Sequence, residues 1–247
     1  MKYLASVWKV FIGTFKLKMS FMLVLAYEVL FFLAVAGFSM LLKKWLISIG
    51  TKYSSISAFL VTPENAAMVK GFFFDSIVAG LGFVVLCYVA YVILQAFSWR
   101  AVVGETPSTK FILRFAGLNV IWLVPWLLIA WFFIAGLKGN YAAGGLTALV
   151  ILFTHLTLIM QHASAHDNKR VKESVVTAFT VGFGRLHKFI VPYLFATILF
   201  IVWSQLWRLI PQVTTMGFAA VLLLCAIFAP FTAWLKFYIH KLLPVVA

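Results

Sequence analysis

Six apolar runs of about 20 residues stand out along the chain, at 20–42, 75–99, 116–136, 145–161, 189–207 and 216–235. A helix rises about 1.5 Å per residue and the hydrocarbon core of a bilayer is about 30 Å thick, so each run has roughly the length of a transmembrane helix. The polar stretches between them carry a second pattern. In residues 2–16, Leu4, Trp8, Phe11, Ile12 and Phe15 recur at helical spacing while Lys2, Ser6, Lys9, Gly13 and Lys16 fall opposite. Such a helix is expected to lie along an anionic membrane surface. Residues 173–190 repeat the plan, with Val175, Phe179, Phe183, Leu186 and Ile190 on one side and Glu173, Thr177, Gly184 and Lys188 on the other. A shorter version begins at Thr106-Pro107, read as a cap with proline in the first turn, and carries Lys110, Phe111, Arg114 and Phe115.

The expected fold is therefore all-α: one integral membrane domain over 1–247, a polytopic bundle of six transmembrane helices with basic amphipathic interfacial helices before spans 1, 3 and 5. Each lead-in contains F-x-x-x-F, at Phe11 and Phe15, Phe111 and Phe115, and Phe179 and Phe183. The chain can thus be divided into three units of surface helix plus hairpin, 1–99, 105–161 and 171–236. The same lead-ins also arise without any repeat, wherever a span is entered from the basic side of a membrane.

Composition sharpens this picture. The chain is 64% hydrophobic and 11% charged, with mean hydropathy +1.07, far from the roughly 25% charged residues of soluble domains. The net charge of +14 would suit nucleic acid on a soluble surface, but here the 20 Lys and Arg cluster at the ends of apolar runs. With the N-terminus inside, 14 of them fall on the cytoplasmic side and 6 outside. That bias places both termini in the cytoplasm, in a plasma or inner membrane. Trp8, Trp45, Trp99, Trp207 and Trp234 at span boundaries suggest an aromatic belt. The first run imitates a signal peptide ending in Ala34-Val35-Ala36, but Glu28 interrupts it and apolar residues continue to Leu42, which favours a retained span. Cys87 and Cys225 lie mid-run and read as free thiols.

Taken with stretches such as VVTAFTVGFGRLHKFIVPYLF, this plan resembles the uncharacterised six-helix membrane proteins related to the membrane domain attached to some glycerophosphodiester phosphodiesterases. The resemblance covers most of the chain and implies a six-helix membrane domain. It brings no catalytic residue, because no phosphodiesterase domain lies within these residues.

Candidate chemistry is sparse. Glu28 sits about 12 Å into span 1, where an ionisable group is costly unless protonated, paired or wet. His155, about 9 Å from the end of span 4, has similar depth and is the expected partner. Gln95 and Asn119 would complete an intramembrane polar cluster opening toward the cytoplasm. Its alternative reading is a hydrogen-bonded packing contact between helices. His155, His162 and His166 share one helix face; His162 and His166 at i, i+4 have chelate spacing, but no third ligand is evident and no metal or other cofactor is expected. Asp167-Asn168 reads as a turn. Asp75 near the outer mouth of span 2 has Lys70 as its expected neighbour. Ser76, Ala79, Gly80 and Gly82 give span 2 a small-residue surface suited to close helix packing. Pro125 and Pro192 kink spans or occupy a first turn, and Gly182-x-Gly184 loosens the second surface helix. Lys2, Lys9, Lys16, Lys18, Lys110, Arg114, Lys169, Arg170, Lys172, Arg185 and Lys188 are the expected lipid-headgroup contacts.

No nucleotide-binding, zinc-hydrolase or serine-hydrolase motif is present, so the sequence favours a non-enzymatic membrane protein. It would bind anionic lipid, a membrane-protein partner or a second copy of itself, and not nucleic acid. The rival reading is a small transporter or channel built on the Glu28 cluster. Green fluorescent protein fused to either chain end is expected to fluoresce in the cytoplasm, and alkaline phosphatase at the same ends to be inactive. The reverse pattern at either end overturns the assigned orientation.

Overall fold

The computed structural model describes residues 2–15, 19–54, 66–136, 140–166, 169–207 and 217–246, leaving aside the side chains of 140–142, 206–207 and 217–224. Among the described residues there are eight helices and no strand: α1 (Lys2–Gly13), α2 (Met19–Lys52), α3 (Ala66–Val103), α4 (Thr109–Gly136), α5 (Asn140–His166), α6 (Val171–Gly182), α7 (Leu186–Trp207) and α8 (Gly217–Val246). Helices α2 and α3 pair along their length, α4 packs on α5 and α7 on α8, and α8 returns to close against α2. Among the described residues five helices are long and apolar enough to cross a bilayer: α2, α3, α4, α5 and α7. The protein is an integral membrane protein with an all-α bundle. The expected sixth span falls in α8, whose first side chains lie outside the described residues.

Local chemistry sets the helix ends. Gly104, at φ 86°, reverses the chain after α3. Its N–H donates to Ala101 O at 3.3 Å and the Glu105 N–H to Arg100 O at 2.9 Å, the pairing of a Schellman C-cap. The Arg100 guanidinium reinforces this turn through Glu105 and reaches across to Ala165 O at 3.0 Å. The cap of α4 is Ser108, whose Oγ accepts the Phe111 N–H at 3.2 Å, and not the expected Thr106. The separate surface helix anticipated before span 3 is accordingly the first turns of α4 itself. Phe111 and Phe115 are buried there, with Arg100 4.3 Å above the Phe111 ring. Span ends also move: α2 continues past Lys43 and Lys44 to Lys52, where the ammonium meets Asp75 at 2.8 Å and Tyr53 joins them at 3.0 Å. Asp75 therefore pairs with Lys52 rather than with Lys70.

Burial is concentrated at one end of the bundle, called basal here. In α3 the buried side chains are Ala79 and then residues 92–102, in α4 residues 111–122, and in α5 residues 155–165. The other halves of these helices carry exposed apolar side chains such as Leu128, Trp131 and Phe132, as lipid-facing surface requires. Both chain ends gather at the base: Lys241 Nζ donates to Gly13 O at 2.8 Å, and Arg185 and Lys188 donate to Val246 O at 3.0 and 3.2 Å.

Helix α1 docks on α7 and α8 through Val7, Val10, Phe11 and Tyr3. Pro192, inside α7, has no N–H to offer the carbonyl four residues back, and that carbonyl, Lys188 O, accepts the Tyr3 hydroxyl instead. Burial raises the Tyr3 phenol above its ordinary pKa, which keeps it a donor. The surface helix anticipated over 173–190 is interrupted: α6 stops at Gly182 and a turn over 183–185 precedes α7. Its buried face is the small-residue line Ser174, Ala178 and Gly182, which lets α6 lie close to α5.

Gly182 thus serves close packing, and with Gly184 it also marks the break in the anticipated surface helix. A Cβ at Gly182 would meet Leu156 Cδ2 at 2.4 Å and His155 Nε2 at 3.3 Å, whereas one at Gly80 would meet nothing within 4 Å. Gly182→Val is expected to cost about 1–3 kcal/mol through overpacking, and Gly80→Ala to be tolerated. Thermal unfolding of the two variants in detergent checks this; equal transitions would refute it.

Candidate functional site: a buried ion pair between α2, α3 and α8

Glu28 lies about 14 Å from the start of α2 at 1.5 Å per residue, facing α3 and α8. One carboxylate oxygen accepts from Ser98 Oγ at 2.7 Å and from the Lys236 ammonium. The other accepts from Thr232 Oγ1 at 3.2 Å and Gln95 Nε2 at 3.3 Å. Lys236 spends its remaining protons on Gln95 Oε1 and, at 2.7 Å, on Ser98 Oγ. The two side chains are 3% and 6% exposed. An isolated charge in such surroundings would be prohibitive; opposite charges with every donor and acceptor engaged make the burial tolerable.

A second network adjoins the first at Trp99, whose ring lies 5.5 Å from Lys236 Nζ. The indole N–H donates to Gln161 Oε1 at 2.7 Å, and Gln161 Nε2 donates to Asn119 Oδ1 at 2.8 Å and to the Tyr91 hydroxyl. Asn119 Nδ2 is held by Phe115 O at 2.7 Å. Three spans, α3, α4 and α5, are thereby cross-linked beside the ion pair.

The expected cluster of Glu28, His155, Gln95 and Asn119 divides accordingly. Gln95 does join Glu28. Asn119 belongs to the adjoining network, and His155 to neither: its Nε2 faces Gly182 O at 3.2 Å and its Nδ1 the Tyr193 hydroxyl at 2.5 Å. The Nε2–H tautomer satisfies both contacts, so His155 is a neutral pin joining α5 to α6 and α7. It fails to pair with Glu28 because α5 meets α3, α4, α6 and α8, while α2 packs on α3 and α8. Nor does the cluster open to water, since Glu28 is enclosed by Ser98, Gln95, Thr232 and Lys236.

The residue that sequence reading missed is Lys236. It immediately follows the last apolar run, where it counted as an orientation charge, yet α8 continues ten residues beyond it to Val246. The available signal was periodicity, because Tyr238, Ile239, Leu242 and Leu243 extend the apolar pattern while Thr232, Lys236 and His240 recur at every fourth position.

His162 and His166 gain a neighbour the sequence did not suggest, His240: His162 Nε2 lies 3.0 Å from His240 Nδ1, and the His166 ring centre 5.4 Å from that of His240. Among the described residues no group of three or more such side chains is arranged to hold a metal ion. Asp167 and Asn168 lie outside the described residues.

The basic residues also sort into two sets. Lys2, Lys9, Lys110, Arg170 and Lys172 are exposed, consistent with headgroup contact, and Lys169 donates to Thr177 Oγ1 at 3.2 Å. Arg114 instead donates to Ser164 O at 3.3 Å, and Arg185 and Lys188 to Val246 O, so these three complete the C-terminal ends of α5 and α8. Lys16 and Lys18 lie outside the described residues. Trp99 and Trp234 are core residues rather than belt residues, the latter donating to Thr14 Oγ1 at 3.0 Å, whereas Trp8 and Trp45 are exposed as a belt requires. The Trp207 side chain is outside the described set.

Removing one partner strands the other charge. Glu28→Gln alone is expected to cost about 3–5 kcal/mol by leaving Lys236 buried without a carboxylate. The double variant Glu28→Gln with Lys236→Met is expected to recover most of that loss. Unfolding in detergent checks it, and a single variant as stable as the wild type would show that the pair does not hold the bundle.

No known protein family, characterised protein or solved structure matches the chain, so the reading of this site rests on its own geometry.

Proposed function

We propose that the protein is a non-enzymatic polytopic membrane protein that holds anionic lipid headgroups at the basic, cytoplasmic end of a six-span bundle, with α8 as the sixth span and both termini on that side. The observation that carries this reading is the seating of α1. One face is consumed by α7 and α8, yet Leu4, Trp8, Ile12 and Phe15 remain 46–53% exposed on another, beside the exposed Lys2 and Lys9. A helix already packed on its bundle has no structural need for a second apolar stripe. A bilayer interface supplies one, with lysines at headgroup level. Helix α6 supports the same reading through exposed Val176 and Phe179 alongside Lys172. A transporter would be favoured by a wet cleft at Glu28, and the closed, fully bonded pair favours a structural role for that carboxylate.

Detergent-purified protein is expected to retain phosphatidylglycerol in preference to phosphatidylcholine of the same acyl chains by native mass spectrometry. The combined Lys2→Glu, Lys9→Glu and Lys172→Glu variant should lose at least half of that preference. Equal retention of the two lipids by the wild type would defeat the proposal, as would saturable solute uptake in liposomes that requires Glu28.

A further inference from the structure

Helices α1 and α6 are 12 residues each, so at about 1.5 Å per residue each is about 18 Å long, enough for one leaflet of a hydrocarbon core about 30 Å thick and too short to cross it. Both are packed lengthwise on the basal ends of longer helices. Phe11 of α1 meets Tyr238 and Trp234 of α8 with ring centres 6.0 and 5.8 Å apart, and Phe15, one turn further on, meets Trp234 at 6.0 Å. Helix α6 lays Ala178 and Gly182 against α5, where Gly182 O faces His155 Nε2 at 3.2 Å. The base therefore has eight helices in cross-section. Beyond Gly13 and Gly182 only α2, α3, α4, α5, α7 and α8 continue, and among the described residues no short helix lies at the opposite end.

The side chains around the two added helices indicate what covers them. The outward face of α1 carries Leu4, Trp8, Ile12 and Phe15. On the other helix Val176 and Phe179, with Phe183 and Leu186 after them, are 43–50% exposed and lead into the exposed Ile190 of α7, a helix able to span the membrane. The Trp8 ring lies 5.5 Å from that of Phe195, so α1 joins the same surface of α7. An apolar surface one leaflet tall, continuous with a spanning helix and edged by the exposed Lys2, Lys9 and Lys172, suits acyl chains and headgroups rather than a soluble partner.

We infer that the protein is a wedge: its base occupies more area in one leaflet than its six-helix half occupies in the other, so it gathers where the basal leaflet is convex. The inference rests on the lipid-facing reading of α1 and α6 above and goes beyond it, because shape rather than headgroup charge makes the selection. Two additional helix sections, each about 10–12 Å across, add about 200 Å2 to one side. A flat bilayer must deform to accommodate that difference, whereas a membrane already bent in the right sense does so with less deformation. With the orientation proposed above, the convex leaflet is the cytoplasmic one.

The test uses the full chain reconstituted into phosphatidylcholine vesicles ranging from about 50 to about 400 nm in diameter, with protein density read vesicle by vesicle. Thr106→Cys, exposed in the basal turn before α4, in a Cys87→Ala and Cys225→Ala background, takes a membrane-impermeant maleimide dye only on copies whose base faces outward. The density of labelled copies per unit membrane area is expected to rise at least about threefold from the largest vesicles to the smallest. Leu4→Gln with Ile12→Gln removes the α1 stripe, and Val176→Gln with Leu186→Gln removes that of α6; each pair should abolish about half of the rise. All four side chains are exposed, and either pair tests the wedge if the other fails to fold. A wild-type density that is independent of diameter, or that falls toward small vesicles, overturns the proposal. So does an undiminished rise in a folded variant of either pair. A flat profile in protein that still prefers phosphatidylglycerol defeats the wedge alone, whereas loss of that preference with the rise intact defeats the headgroup reading alone.

Discussion

The bond between Glu28 and Lys236 is the constraint around which the rest is arranged. A carboxylate in a lipid-facing bundle must be matched or neutralised, and here it is matched by a cation 208 residues away in sequence. Satisfying both ions takes Gln95 and Ser98 from α3 and Thr232 from α8, so three helices are fixed in rotation and in depth relative to one another. Trp99 then transmits that register to α4 and α5 through Gln161 and Asn119. A greasy interface alone would not discriminate among these registers, because lipid tails compete equally well for apolar side chains. Polar contacts with a single good solution supply the discrimination.

The base of the bundle follows the same economy. Backbone carbonyls left open by helix ends and by Pro192 are met by side chains from elsewhere: Arg100 and Arg114 at the end of α5, Arg185 and Lys188 at the end of α8, Lys241 at the end of α1, and Tyr3 at the proline break. Positive charge in this region therefore serves two purposes. Some of it closes helices, and some, on α1 and α6, stays exposed. Opposite the base, hairpins turn their apolar side chains outward, and α2 and α3 are joined there by the Lys52–Asp75 ion pair.

Much of this was legible in the sequence, and the gaps have physical causes. Apolar run length located the spanning helices because the bilayer imposes a length, but it could not show that α2 runs on to Lys52, since leaving the hydrocarbon does not oblige a helix to stop. Helix periodicity identified α1 and its outward stripe, yet Val7 and Thr14, which hold it to the bundle, belong to a third face that a two-sided reading ignores. The need of Glu28 for a partner was evident, and so was Gln95; the partner itself was not. Depth alone nominated His155, whereas adjacency decides, and adjacency is a property of topology. Lys236 went unrecognised because a cation beside an apolar run reads as an orientation charge whether it snorkels outward or points inward. Gly182 and Gly184 did announce the break after α6, but a missing side chain signals freedom or closeness, and only the neighbouring α5 reveals that Gly182 also serves close approach.

The distance between the ions along the chain has a consequence for biogenesis. Lys236 follows Glu28 by 208 residues and so emerges from the ribosome about 10–40 s after it at ordinary rates of synthesis. In that interval the nascent chain carries an acid that lacks its cation, and truncated products carry it permanently. The arrival of α8 thus converts a provisional assembly into one whose buried acid is paired.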